Sequence, residues 1–177
     1  MTSFINFSLV ILSCFLALPL GAVVSWMAKE ELKPGLKYFF ALQNLLFGLS
    51  IFVLANVLLS RTSLNIALSS AMAILISAIA MMGMFFFKTP SRDILIYALF
   101  ALILSYSAMI NQNVLLIQGV IIFLYGLPTA SIRAFFYTKQ SAQRKKMLQL
   151  TLRDIGIKFS FFILLAIICF FILFSYF

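Results

Sequence analysis

One long polar interval, Arg133–Lys158 (RAFFYTKQSAQRKKMLQLTLRDIGIK), breaks a sequence that is otherwise a succession of apolar runs. Seven of the thirteen Lys and Arg lie inside it. Lys and Arg are retained in the cytoplasmic loops of membrane proteins, so this interval dictates which way round the chain is threaded. The apolar runs cover residues 4–27, 38–59, 66–87, 94–110, 114–132 and 155–177. Each falls within the roughly 17–25 residues that a helix needs to cross hydrocarbon. They are continuous rather than alternating, which predicts helices and not a barrel. The expected fold class is all-α: a polytopic membrane protein with six transmembrane helices in a single domain spanning 1–177.

Composition excludes the soluble alternative. Hydrophobic residues make up 64% of the chain and charged ones 10%, against roughly 45–50% and about 25% in ordinary soluble domains. A chain of 177 residues cannot hide that much apolar surface from water. The first run contains Pro19 and Gly21, and the start MTSFINFS lacks the positive residues of a cleaved signal, so it reads as a retained span.

Charge decides orientation. With six spans, the first, third and fifth links share one side of the membrane. They hold Lys29, Lys33, Lys37, Lys88, Arg92 and the seven basic residues of the long interval, leaving only Arg61 on the other side. The expectation is a cytoplasmic membrane of prokaryotic type, both termini outside and the basic links, with the segment 133–154, in the cytoplasm. The net charge of +9 is distributed between spans rather than gathered in one patch. No phosphate loop, RNA-binding motif or zinc-finger spacing accompanies it. The partners it predicts are therefore membrane lipids, with anionic headgroups on the cytoplasmic side, and not nucleic acid. Within that segment, Phe135, Phe136, Leu148 and Leu152 can line the apolar side of an interfacial helix with Arg144–Lys146 facing water; a solvated, partly helical loop is the alternative.

Small residues mark candidate packing seams. Ser70, Ala73, Ser77 and Ala80 in the third run, and Ala98, Ala101, Ser105 and Ala108 in the fourth, share a 3-4-3 spacing. Small side chains on one helix face let two backbones approach closely, so these faces predict an antiparallel hairpin of spans three and four, or a groove that receives a helix from another subunit. Counted from the short link, Ala80 matches Ala101, Ser77 matches Ser105 and Ala73 matches Ala108.

The cytoplasmic half also gathers polar and helix-breaking residues: Pro19–Leu20–Gly21, Gln43, Asn44, Gly48, Gly83 and Gly126–Leu127–Pro128. Proline frees a carbonyl one turn upstream. Two such breaks beside Gln43 and Asn44 would line a small polar cavity, rimmed by Lys33, Lys37 and Arg133, suited to an anionic headgroup or solute. The plainer reading, which is the favoured one, is kinked helices with Gln43 and Asn44 bonding across helix interfaces. On the other side, Asn56, Asn111–Asn113 and Gln118 read as interfacial turn and helix-end groups. In the first link, Pro34–Gly35 reads as a turn and Tyr38–Phe40 as an aromatic belt. Cys14 and Cys169 sit in apolar runs and read as packing.

The sequence contains no histidine, which excludes a Ser–His or Cys–His hydrolase and any histidine-ligated metal site. All four carboxylates lie in or beside predicted cytoplasmic links, against an intramembrane aspartyl dyad or proton relay. Glu30 and Glu31 lack the histidine partners of a metal-dependent intramembrane protease. The expectation is a protein with no catalytic residues, metal or cofactor: first an accessory or scaffold subunit packing against other membrane-protein subunits, second a small carrier for an anionic or amphipathic ligand, and third an enzyme acting on lipid.

Overall fold

The computed structural model describes residues 2–61, 65–86, 92–138 and 144–176. Lys88 and Lys139, expected in basic links, lie outside these residues. Six α-helices follow in order: α1 (Phe4–Met27), α2 (Leu32–Leu59), α3 (Ile66–Phe86), α4 (Arg92–Ile110), α5 (Gln112–Thr138) and α6 (Arg144–Tyr176), with one 3-10 turn, Lys29–Glu31, ahead of α2. All six are long and apolar enough to cross a membrane.

Local chemistry sets several of the boundaries. The Ser3 hydroxyl accepts the Asn6 N–H at 3.3 Å and starts α1. Asn111 alone separates α4 from α5, and its side-chain oxygen accepts the Asn113 N–H at 3.1 Å, so the NQN stretch both turns the chain and caps α5. Pro34 and Gly35 do not form a turn. They belong to the first turn of α2, where a missing proline N–H leaves no helical carbonyl unpaired. The basic interval does not form a separate interfacial helix either. Arg133–Thr138 complete α5, and residues from Arg144 onward run without a break into the last span. At 33 residues α6 is about 50 Å long, well beyond a hydrocarbon layer of about 30 Å. Its buried stripe is Met147, Thr151, Ile155, Phe159, Phe162, Ala166 and Phe170, whereas Leu152 is exposed.

The core is built around α5, which packs against α1, α2, α4 and α6; α4 and α1 also pack against α6. Tyr97 and Phe100 of α4, Tyr125 of α5, and Phe159 and Phe162 of α6 interlock edge to face with ring centroids 4.7–5.9 Å apart. Thr2 ties the start of the chain to the end of α4, its hydroxyl donating to the Ala108 carbonyl at 2.6 Å.

Helices α1 and α5 run in the same direction and share the most extensive contact among the described residues. Cys14 donates to the Gly119 carbonyl at 3.3 Å near one end, and Ser25 to the Ser131 hydroxyl at 2.9 Å near the other. Between these points a Cβ at Gly21 would stand 2.6 Å from the Leu127 carbonyl oxygen, and one at Gly126 2.7 Å from the Ala17 Cβ. Gly21 and Gly126 are therefore close-approach residues inside continuous helices and not helix breaks. Pro19 and Pro128 lie within those same helices.

The expected hairpin of α3 on α4 does not form. α3 packs against α2, with Gly48 leaving the space that the Met81 thioether fills. The small-residue face of α4 receives α6 instead: Ser105 donates to the Ala166 carbonyl at 3.0 Å, and Ala101 and Ala108 are buried while Ala98 is half-buried. On α3, Ala73 is buried and Ala80 partly so against the core, whereas Ser70 and Ser77 donate back to carbonyls of their own helix. On α4 the small-residue spacing coincides with a packed face, whereas of the four residues on α3 only Ala73 is buried. Pairing depended on which helices the whole bundle brings together.

Candidate functional site

One face of α5 carries Gln118, Tyr125, Thr129 and Arg133, placed on a single stripe by helical spacing and buried throughout. A buried polar group in hydrocarbon must find a partner within the protein, and here the partners come from the surrounding helices. Ser50 of α2 donates to the Gln118 side-chain oxygen at 2.7 Å, and the Gln118 amide donates back to the Ser50 carbonyl at 2.9 Å. Further along the seam, the Gln43 amide donates to the Thr129 hydroxyl at 2.7 Å, which itself donates to the Tyr125 carbonyl at 2.8 Å. Gln118 is thus an interior group of the bundle, fully buried, and not the helix-end residue its place near Asn113 implied.

The stripe ends in a charge cluster. Arg133 Nη1 meets Asp154 Oδ2 of α6 at 2.6 Å, and Nη2 meets Asp93 Oδ2 of α4 at 3.0 Å. Lys158 Nζ holds the other Asp154 oxygen at 2.6 Å. The guanidinium also lies over the Phe159 ring, 4.7 Å from its centroid. Two cations and two carboxylates balance in charge. Because the Arg133 side chain is only 9% exposed, removing one partner would leave an uncompensated charge in a poorly solvated place. Beside the cluster, Arg92 donates to the Asn44 side-chain oxygen at 2.7 Å, joining α4 to α2.

The residues expected to line a ligand cavity are therefore distributed differently. Gln43 and Asn44 are buried and bonded to Thr129 and Arg92; Arg133 is the centre of the ion cluster rather than part of a rim. Pro19 and Pro128 belong to the α1–α5 pair. Lys33 and Lys37 are exposed at the start of α2, the latter with its ammonium 4.9 Å from the Tyr38 ring centroid.

The chain matches no protein-family model, no curated protein and no solved structure.

Among the described residues, four buried groups beside the polar seam find no hydrogen-bond partner: the hydroxyls of Tyr97 and Tyr125, and Nε of Arg92 and of Arg133. Among the described residues no three His, Cys, Asp or Glu side chains converge as metal ligands would. What the arrangement does chemically is tie helix to helix. Asp93 and Asp154 join α4 and α6 to α5, while Asn44, Gln43 and Ser50 join α2 to α4 and α5. Thr129 and Ser50 gave no separate signal in the sequence. The α5 stripe is visible in the helical spacing of its polar residues; its partners on other helices are not.

Proposed function

We propose that this chain is a non-catalytic, multi-pass subunit of a prokaryotic-type cytoplasmic membrane that packs against a partner membrane protein through α3. In this reading both termini lie outside. The basic ends of the helices face the cytoplasm, where exposed Lys33, Lys37, Lys145, Lys146 and Arg153 meet anionic headgroups.

The supporting observation is the double-sided character of α3. Ser69, Ala73 and Ala80 occupy its α2 side, while Ala67, Ala71 and Ala78 repeat the same 4-7 spacing two residues earlier, on the opposite face, and are exposed. Only 11% of its span is buried, against 67% for α5. Small-residue faces drive association in lipid, where apolar burial alone contributes little. The test is co-purification in mild detergent with Ala71→Phe and Ala78→Phe. Loss of a reproducible partner from variants that keep wild-type yield and melting supports the reading; a monomer in every case, before and after crosslinking in membranes, rejects it.

A second reading, a small carrier, is favoured by the unpartnered Tyr97 and Tyr125 hydroxyls beside the Gln43–Thr129 bond. It requires ligand-dependent thermal stabilisation that Gln43→Leu and Asn44→Leu abolish. An unchanged ligand response in those variants removes it.

A further inference from the structure

Between the amino-terminal halves of α1 and α5 runs a groove of about 600 Å³, inside the range of roughly 300–1,000 Å³ typical of small-molecule sites. Asn6 and Gln112 stand at one end, at the first turns of their helices, and Val10, Gly119, Phe123 and Leu124 continue it inward. From Gln112 to Leu124 the helix rises about 18 Å, close to the depth of one leaflet, about 15 Å of hydrocarbon. The helices touch at the floor of the groove, and past Leu124, the last lining residue along α5, they stay in contact, with Gly126 against Ala17 and Gly21 against Leu127. The groove is therefore one leaflet deep. A transmembrane helix, which crosses both leaflets, would lose it halfway.

We propose that this groove holds one acyl chain of a membrane lipid whose headgroup is neutral and bears hydroxyls. Polarity runs in the right order, amides at the membrane surface and hydrocarbon beneath. Asn6 and Gln112 each offer both a carbonyl acceptor and N–H donors, the pair of functions a hydroxyl needs. None of the lining residues is charged, so an ionic headgroup would have no counter-charge at this rim. The floor of the groove is closed at Gly119, where a Val10 methyl group fills the space a side chain would take. The site is separate from the α3 face, and neither proposal requires the other.

The experiment places the full chain in phosphatidylcholine vesicles containing a small fraction of a diacyl glycolipid with a photoreactive diazirine in its acyl chain. Labelled residues are then mapped by mass spectrometry. Leu9 and Val120 in the groove are exposed to the same degree as Ile74 and Leu75 on α3, at 58%, 59%, 58% and 61%. Contact by chance would therefore label the two pairs alike. The site predicts about tenfold higher labelling at Leu9 and Val120, the ratio given by a preference of about 1.4 kcal/mol. Leu116→Trp and Val120→Trp fill the rim from exposed positions and should each bring labelling at Leu9 down to the α3 level. Equal labelling of the groove and α3 would show ordinary solvation by bulk lipid and overturn the proposal, as would enrichment that survives both tryptophans. A phosphocholine probe with the same diazirine that labels Leu9 equally well would overturn the headgroup assignment.

Discussion

Arg133 of α5 and Asp154 of α6 meet at 2.6 Å, and the same guanidinium reaches Asp93 of α4 at 3.0 Å. Three helices are thereby joined at one end by a single side chain. Lysine could not replace it, because an ammonium lacks the planar fork that serves two carboxylates at once.

Arg133→Leu should destabilise the bundle by up to about 3 kcal/mol, the low end of the cost of breaking a buried ion pair, because Asp154 keeps Lys158 as a partner and the Asp93 side chain is 21% exposed. Reversible unfolding in bicelles measures this directly. Adding Asp93→Asn and Asp154→Asn to Arg133→Leu should recover much of the loss, since no uncompensated carboxylate then remains. Wild-type stability for Arg133→Leu alone would mean that the cluster contributes nothing to holding the helices together.

The α1–α5 contact makes a second prediction. Gly21→Val and Gly126→Val each push a side chain into a neighbouring helix and should cost about 1–3 kcal/mol through overpacking, or more where backbone is the obstacle. Among the described residues, a Cβ at Gly83 or Gly156 meets nothing within 4 Å. Gly83→Ala and Gly156→Ala should therefore be neutral or stabilising by up to about 1 kcal/mol, because alanine loses less backbone entropy on folding. Thermal melts of the four variants in one detergent give the comparison.

For the α2–α5 seam, a double-mutant cycle of Ser50→Ala and Gln118→Leu should return a coupling of about 0.6 kcal/mol, and at most about 1.7, the range found for hydrogen bonds between membrane helices. Additive single variants would show that the pair is adjacent but energetically independent.

Orientation is tested by impermeant thiol labelling of intact cells. With Cys14 and Cys169 replaced by alanine, a cysteine at Ser3 should react and one at Lys146 should not. The reverse pattern would invert the proposed threading and move the anionic-lipid face to the other leaflet.

Helix number and class were legible in the sequence because crossing hydrocarbon imposes a requirement that each segment satisfies by itself. About twenty consecutive apolar residues must bond their own backbone, and Phe4–Met27 or Arg92–Ile110 meets that condition without reference to any other part of the chain. The faces capable of close approach were legible for the same reason, since Ala101, Ser105 and Ala108 share one side of α4 by helical spacing alone. Partner choice was not. Whether Ser105 meets α3 or α6, whether Gly21 breaks a helix or seats one against Leu127, and whether Arg133 rims a cavity or clasps Asp93 and Asp154 depend on side chains distant in sequence. Those contacts exist only once six helices have taken their places together, because lipid offers every apolar face nearly the same surroundings and only the fit between particular helices distinguishes one neighbour from another.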